Sequence, residues 1–326
     1  MTEGRSLRLA LFGDGAWAAD TLSRLHDAGH RVAVAVLRER PSDGSLGDAC
    51  ARAGVPVLAP ADASAPSFLG TLRGHAPDLL LSVSYNQILK RAALDAAPLG
   101  AVNLHAGKLP FYRGRNVINW AIINGETEIG LTSHHVDLGV DTGDIILQRM
   151  LPIAWTDTYG DVLARVVAAL PGLAVDTVNA IADGSATRCV QAHLPGTYFG
   201  GRENGDEGLD WSDTSEHLHN KVRAITHPGP GARTMMGDRE LTIWRAYFDR
   251  NWPRYIATPG QVVGRERGRG VLVKTGDSTL LVQEVQIADE APCVPAWRIG
   301  TRLGVNVTAA LRAAQDRLAA LEHRRS

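Results

Sequence analysis

Cysteine is scarce. The 326 residues hold three, Cys50, Cys189 and Cys293, far apart and without a C-x-x-C pair. That excludes a disulfide framework and argues against a zinc cluster. Charge is not in excess either: 34 Lys and Arg stand against 35 Asp and Glu, for a net charge of −1. A chain that works mainly by gripping nucleic-acid phosphates carries a basic excess or patch, and none is visible at this level. Long apolar runs are missing as well. No stretch reaches the roughly 20 residues of a membrane span, and the N-terminus leads straight into a strand-like run without a signal-peptide core. The expectation is a soluble, cytoplasmic protein with no metal and no membrane contact. What is there is ordinary: 44% apolar and 21% charged residues, enough for a sizeable core. The length suits two domains.

The first half alternates strand and helix signals. Leu7–Phe12 reads as a buried strand that turns at Gly13-Asp14-Gly15 into a helix carrying Trp17, Leu22 and Leu25, which ends at Gly29. Further strands are expected at Arg31–Leu37, Val55–Leu58, Asp78–Val83 and Ala101–Leu104, with helical stretches between most of them. This pattern implies βαβ units and a mainly parallel, Rossmann-like sheet, which binds ligands beyond the carboxyl ends of its strands. Leu131–Val136 and Asp144–Ile153 read as strands around the tight loop Gly139-Val140-Asp141-Thr142-Gly143, and Thr158–Ile181 as a long helix. Glycines at 196, 200, 201 and 205 mark a linker, so the expected domains are 1–200 and 201–326. In the second, Ser212-Asp213-Thr214 caps a helix through Val222. Short strands at Leu241–Trp244, Gln261–Val263, Val271–Lys274 and Thr279–Ile287 then suggest a small β-rich, OB- or barrel-like module, closed by an amphipathic helix at Val307–Leu321.

The sharpest chemical signal is Asn103-Leu104-His105 at the end of a predicted strand. Alternation puts residues i and i+2 on one side, so an amide and an imidazole project together from a carboxyl-end position. A bare N-x-H occurs too often by chance to carry an assignment, and Asp141 alone reads equally as a turn residue between glycines. The context decides. Lys108-Leu109-Pro110-Phe111-Tyr112-Arg113-Gly114-Arg115-Asn116 follows, then Asn119-Trp120, then Val136-Asp137-Leu138-Gly139-Val140-Asp141-Thr142-Gly143.

This run resembles the folate-dependent formyltransferase superfamily, with the fold of the methionyl-tRNA formyltransferases. There an N-x-H at a strand end precedes a Leu-Pro-x-x-x-Gly turn and a loop that supplies a catalytic Asp. The resemblance is dense over Leu79–Leu151 and looser to about Asn306. It implies a formyl donor, N10-formyltetrahydrofolate, and a catalytic trio of Asn103, His105 and Asp141. It also implies a pterin site in which backbone groups of Ser84, Tyr85, Asn86, Gln87, Ile88 and Leu89 pair with the flat ring on one side. Leu109 and the loop Val136, Asp137, Leu138, Gly139, Val140 and Asp141 would close the other. Formyl transfer is acyl transfer through a tetrahedral oxyanion. Asn103 can donate to that oxyanion, a contribution of roughly 3–4 kcal/mol. His105, with an ordinary pKa of about 6.5, suits proton traffic. Asp141 can orient the imidazole and the amine and can accept a proton.

Three acceptor classes compete within the superfamily. Glycinamide ribonucleotide transformylases resemble only the first half. Methionyl-tRNA formyltransferases carry a C-terminal β module, but one with a positive surface for phosphates. Sugar N-formyltransferases carry a stretch like His105–Asn116 and Asn119-Trp120, with pieces like Tyr198-Phe199-Gly200-Gly201-Arg202, Asp210-Trp211 and Ile225–Ala232. The expected acceptor is therefore a primary amine on a small molecule such as a nucleotide-linked amino sugar. Transfer RNA is the runner-up and hydroxylated ornithine a further option. The β module also offers a surface for a homodimer. A rival of another class, a nicotinamide-dependent reductase, rests on Gly13-x-Gly15-x-x-Ala18 with Glu39 downstream. That fingerprint is weak, because Trp17 is bulky, arginines flank Glu39, and any tight strand–helix turn favours glycine. His134-His135 point to opposite faces of a strand and make a poor metal pair. His217 and His219 are expected to serve packing or solvent.

Overall fold

Residues 8–13, an apolar run bounded by a glycine turn, form the central strand β1 (Arg8–Gly13) in a computed structural model of the chain. Residues 5–192, 198–305, 311–312 and 315–318 are described. They divide into two compact units. The first runs to Gly201, apart from 122–125 and 156–160; those short pieces and the residues from Arg202 onward make the second.

In the first unit β1 is followed by α1 (Gly15–Asp27), β2 (Arg31–Leu37), α2 (Ser45–Ala53), β3 (Val57–Leu58), α3 (Pro66–Gly74), β4 (Leu79–Val83), α4 (Arg91–Leu94) and β5 (Ala101–His105). Then come β6 (Arg113–Gly114), α5 (Val117–Ile123), β7 (Glu128–His135), β8 (Ile145–Pro152), α6 (Tyr159–Ala182) and β9 (Tyr198–Phe199). The main sheet has seven strands in the order β3-β2-β1-β4-β5-β7-β8. All pair in parallel except β7, which runs against both β5 and β8. On one face Ala10, Phe12, Val34, Val36 and Leu80 pack with Phe68, Leu69 and Leu72 of α3 and Leu94 of α4. Leu9 and Leu11, fully buried, alternate to the other face. The chain winds outward from β1 through β2 to β3 on one side and from β4 to β5 on the other. The order thus reverses between β1 and β4, where doubly wound sheets open a crevice.

Arg38 reaches across that crevice. It pairs with the buried Asp14 at 2.9 Å and donates to the Ser84 carbonyl at 3.1 Å and to its hydroxyl at 3.0 Å. The glycine at 13 serves packing, because a Cβ there would lie 2.7 Å from that of Ala18. The Gly13-x-Gly15 turn is therefore the close approach of α1 to its strand, which removes the main support for a nicotinamide reductase.

The second unit contains α7 (Ser215–Ile225), β10 (Ala232–Met236), β11 (Arg239–Tyr247), β12 (Val262–Glu266), β13 (Gly270–Lys274) and β14 (Thr279–Ile287). The hydroxyl of Thr214 caps α7 by accepting from the His217 amide at 3.2 Å. The helix packs on β10, β11 and β14 of a five-stranded antiparallel sheet, ordered β10-β11-β14-β13-β12. Strand β10 lies outside the runs expected from sequence, since its Arg-Thr-Met-Met stretch has no clear alternation. The closing helix expected at Val307–Leu321 falls largely outside the described residues, of which 311–312 and 315–318 are helical. No helix among the described residues is long and apolar enough to cross a membrane.

Candidate active site

Register brings the site together. Across the antiparallel pair β5–β7, Asn103 faces His134 and His105 faces Thr132. The loop after β7 returns Asp141 over the same end of the sheet. The two catalytic candidates on β5 and the one on the loop therefore meet, joined by a fourth residue, His134.

The ring contacts fix the tautomers. His105 Nε2 lies 2.7 Å from the Tyr112 carbonyl, which can only accept, so Nε2 carries the proton. In the neutral ring the Nδ1 lone pair then faces Asp141 Oδ2 at 3.6 Å. His134 Nδ1 donates to the His135 carbonyl at 2.8 Å, so in the neutral ring its Nε2 lone pair faces the Asn103 amide at 3.3 Å, and in the protonated ring its Nε2–H faces the Asp141 carboxylate. That same Nε2 is 3.5 Å from Asp141 Oδ1.

Electrostatics separate the roles. Burial pushes the His105 imidazole below its ordinary value, against the opposing pull of Asp141 and the Tyr112 carbonyl. Burial thus favours the neutral ring. Burial alone would raise the Asp141 carboxyl, but His134, His105 and the Gly114 amide outweigh it and hold the acid at about 2. The Gly114 N–H donates to Asp141 Oδ2 at 2.8 Å. Asp141 is a fixed negative charge and too weak a base to keep a proton at neutral pH.

The backbone here is strained. Six described non-glycine residues have left-handed φ, and four of them, Ser84, Tyr112, Asn116 and Asp141, belong to this region. Such conformations cost an L-residue roughly 1–3 kcal/mol and persist where the surroundings over-determine them.

The residues expected to hold a pterin divide. A cleft of about 320 Å³ is lined by Val136, Asp137 and Leu138 on one side and by Arg91, Leu94 and Asp95 on the other. The first three belong to the expected set; the last three, from α4 and its end, do not. The side chains of Tyr85 and Leu89 turn into the core, Tyr85 edge-on to Phe12 at 5.3 Å, which leaves their backbone groups for the expected contact. Burial pushes the Tyr85 hydroxyl up to about 12. The Gln87 carboxamide is spent on Ala63 N and Pro60 O, at 2.8 and 3.0 Å. Ser84 holds Arg38. Ile88, Leu138 and Val140 are exposed, Leu109 is buried, and Asn86 makes no side-chain contact that assigns it a role. Asp137 braces its loop by accepting from Gly139 N and Thr142 Oγ1.

A larger cleft, about 500 Å³, lies in the second unit among Thr214, His217, Asn220, Arg250 and Asp277. Its charges are matched internally, Arg250 with Glu216 and His217 with Asp213, and it holds none of the catalytic candidates. His219 is buried against Tyr247. Among the described residues no group of three His, Cys, Asp or Glu could hold a metal.

Comparison with known proteins shows the family. Residues 7–178 match the formyl transferase family and residues 203–297 the formyl transferase C-terminal domain. The chain belongs to the formyl transferase family, and formyl transfer is its reaction class. It is 37% identical over 291 residues to the methionyl-tRNA formyltransferase of Symbiobacterium thermophilum, covering 86% of this chain and 88% of that one. Two solved structures share the fold. One is WlaRD, a sugar 3N-formyl transferase with dTDP and 5-N-formyl-THF: TM-score 0.66, 18% identity, 88% of this chain and 100% of that one. The other is an N-formyltransferase from Helicobacter canadensis with folinic acid and dTDP-3-aminofucose: TM-score 0.66, 19% identity, 85% and 99%.

Proposed function

We propose that the protein moves a formyl group from N10-formyltetrahydrofolate to a primary amine of a nucleotide-linked amino sugar, using Asn103, His105 and Asp141. The observation that carries this reading is the meeting of amide, neutral imidazole and ionised carboxylate at one end of β5. The cleft between α4 and the Val136–Leu138 loop has room for a bicyclic ring, with Asp95 as an acceptor for ring N–H groups. A bound formyl-folate would supply the activated formyl carbon.

The chain's own groups then divide the work. Asp141 orients the attacking amine and stabilises positive charge on His105. Asn103 donates an N–H to the oxyanion as the new C–N bond forms. His105 Nδ1 accepts the proton the amine sheds and returns it to the leaving nitrogen as the old C–N bond breaks. One proton leaves the amine and one arrives on the donor, so the transfer balances.

An aromatic ledge beside the trio supports the acceptor class. Phe199 stacks on Tyr112 at 5.0 Å and lies 5.7 Å from Trp120, while Tyr198, more than half exposed, covers Arg113. A flat nucleobase fits such a surface, and the exposed Arg115 next to it suits a diphosphate. Residues 201–326 hold 18 Lys and Arg against 16 Asp and Glu, little excess for gripping tRNA. The relative at 37% identity favours initiator tRNA as the second reading. Assaying N10-formyltetrahydrofolate with dTDP- and UDP-linked amino sugars and with charged initiator tRNA, at low and moderate salt, separates the two. Turnover of tRNA alone, falling steeply with salt, would overturn the sugar reading.

A further inference from the structure

Asp141 lies in a loop whose tip is exposed, in a left-handed conformation that disfavours an L-residue. Among the described residues its carboxylate has a single backbone donor, Gly114 N–H. What keeps its main chain in place is a pair of buried side chains from far away in sequence. Arg113 is 1% exposed and Gln191 is 4% exposed. The Gln191 carboxamide accepts from Arg113 Nε at 3.2 Å and Nη2 at 2.8 Å. Its amide nitrogen donates to the Asp141 carbonyl at 3.0 Å and to the Gly143 carbonyl at 2.6 Å, straddling Thr142. Arg113 Nε adds a second donor to the Asp141 carbonyl at 3.1 Å.

We propose that Gln191 is a positioning residue for formyl transfer: bridged to Arg113, it fixes the main chain of Asp141 so that the carboxylate faces His105. The inference rests on the roles given above to Asp141 and His105. A carboxamide suits the place because it must accept from a cation with one end and donate to two carbonyls with the other; a carboxylate can only accept. The bonds go to backbone atoms, so they set where the carboxylate stands without entering the chemistry. Arg113 is next in sequence to Gly114, whose N–H holds the carboxylate, so the 113–114 segment touches Asp141 at both its carbonyl and its side chain.

The groups facing His105 are Asp141 from the loop and His134 from β7, with the Tyr112 carbonyl at Nε2. If the loop drifts outward, His105 loses the anion that favours its protonated form, and its titration moves to lower pH. Gln191→Met keeps the shape and removes every polar contact. Its kcat should fall roughly 10–100-fold, the cost of a displacement of about 1 Å at a reacting group. KM for the folate donor should stay within about twofold. In histidine-labelled protein without substrates, the NMR titration of His105, assigned with His105→Asn, should move to lower pH. A role in folding alone would lower the melting temperature and leave both the titration and the kcat of folded protein unchanged. Should Gln191→Met not fold, Gln191→Glu keeps a partner for Arg113 but loses the donor, and its kcat should still drop at constant KM. A kcat within about threefold of wild type overturns the proposal in either variant, as does an unmoved His105 titration in Gln191→Met. If the wild-type protein transfers no formyl group, the functional reading fails, while the titration still tests the clamp.

Discussion

Replacing Asp141 by asparagine removes one negative charge and little else. The asparagine oxygen can accept from Gly114 N–H as Oδ2 does now, at 2.8 Å. Its amide would face His134 Nε2, now 3.5 Å from Oδ1. What vanishes is the anion 3.6 Å from His105 Nδ1. At an effective dielectric of about 20, a charge pair at that separation is worth about 4–5 kcal/mol. If that energy stabilises the imidazolium formed when His105 takes the amine's proton, its loss slows the reaction on the order of 10³-fold. The assay is tetrahydrofolate release across pH 5–9, with thermal melting and folate binding as controls. Burial lowers the His105 imidazole from its ordinary value, and the rate should fall where His105 becomes protonated. Without Asp141 that acid limb should move to still lower pH. Stability responds with a defined sign. The folded environment holds the Asp141 carboxyl at about 2, below the ordinary 3.8. Its ionisation therefore stabilises the fold by roughly 2 kcal/mol, fully present above about pH 4 and lost as pH falls toward 2. The asparagine variant should lack this acid-side loss. A variant that folds and keeps kcat within about tenfold would refute the electrostatic role.

Asn103→Ala removes the oxyanion donor and should lower kcat roughly 10²–10³-fold while folate binding survives; unchanged single-turnover rates would count against it. Gly114→Ala places a Cβ against the Phe199 carbonyl at φ +95, so β6 and β9 must separate. The donor to Asp141 then shifts, and both the melting temperature and kcat should fall; loss of only one would show that this pairing does not hold the carboxylate. Trp211→Ala empties a site 4% exposed and breaks the bond from Nε1 to Thr234, at 2.9 Å. The cost should be roughly 3–5 kcal/mol, read by denaturant unfolding.

Local pattern alone was enough to read the strand–helix alternation of the first unit, the end of β5 and its pair Asn103 and His105. It also sufficed for the cap at Thr214 and the span of β14, because these depend on neighbours one to four places away. The Asp141 loop was legible through its glycines. In the sequence His134 reads as half of a poor metal pair; its place opposite Asn103 follows from β5–β7 register, which no local window contains. Tyr85 and Leu89 send their side chains into the core, as apolar groups next to a buried strand do, which leaves their backbone groups for the pterin contact that the resemblance implies. Gln191 and Arg113 stand 78 residues apart with no periodicity to link them. By itself, then, the sequence determined which chemical groups the protein holds and which strand end carries two of them. Only the tertiary structure decided which distant side chains hold Asp141 and how protons lie on the two imidazoles. Those depend on a few hydrogen bonds between residues remote along the chain, and a hydrogen bond exists only where folding has brought donor and acceptor within about 3 Å.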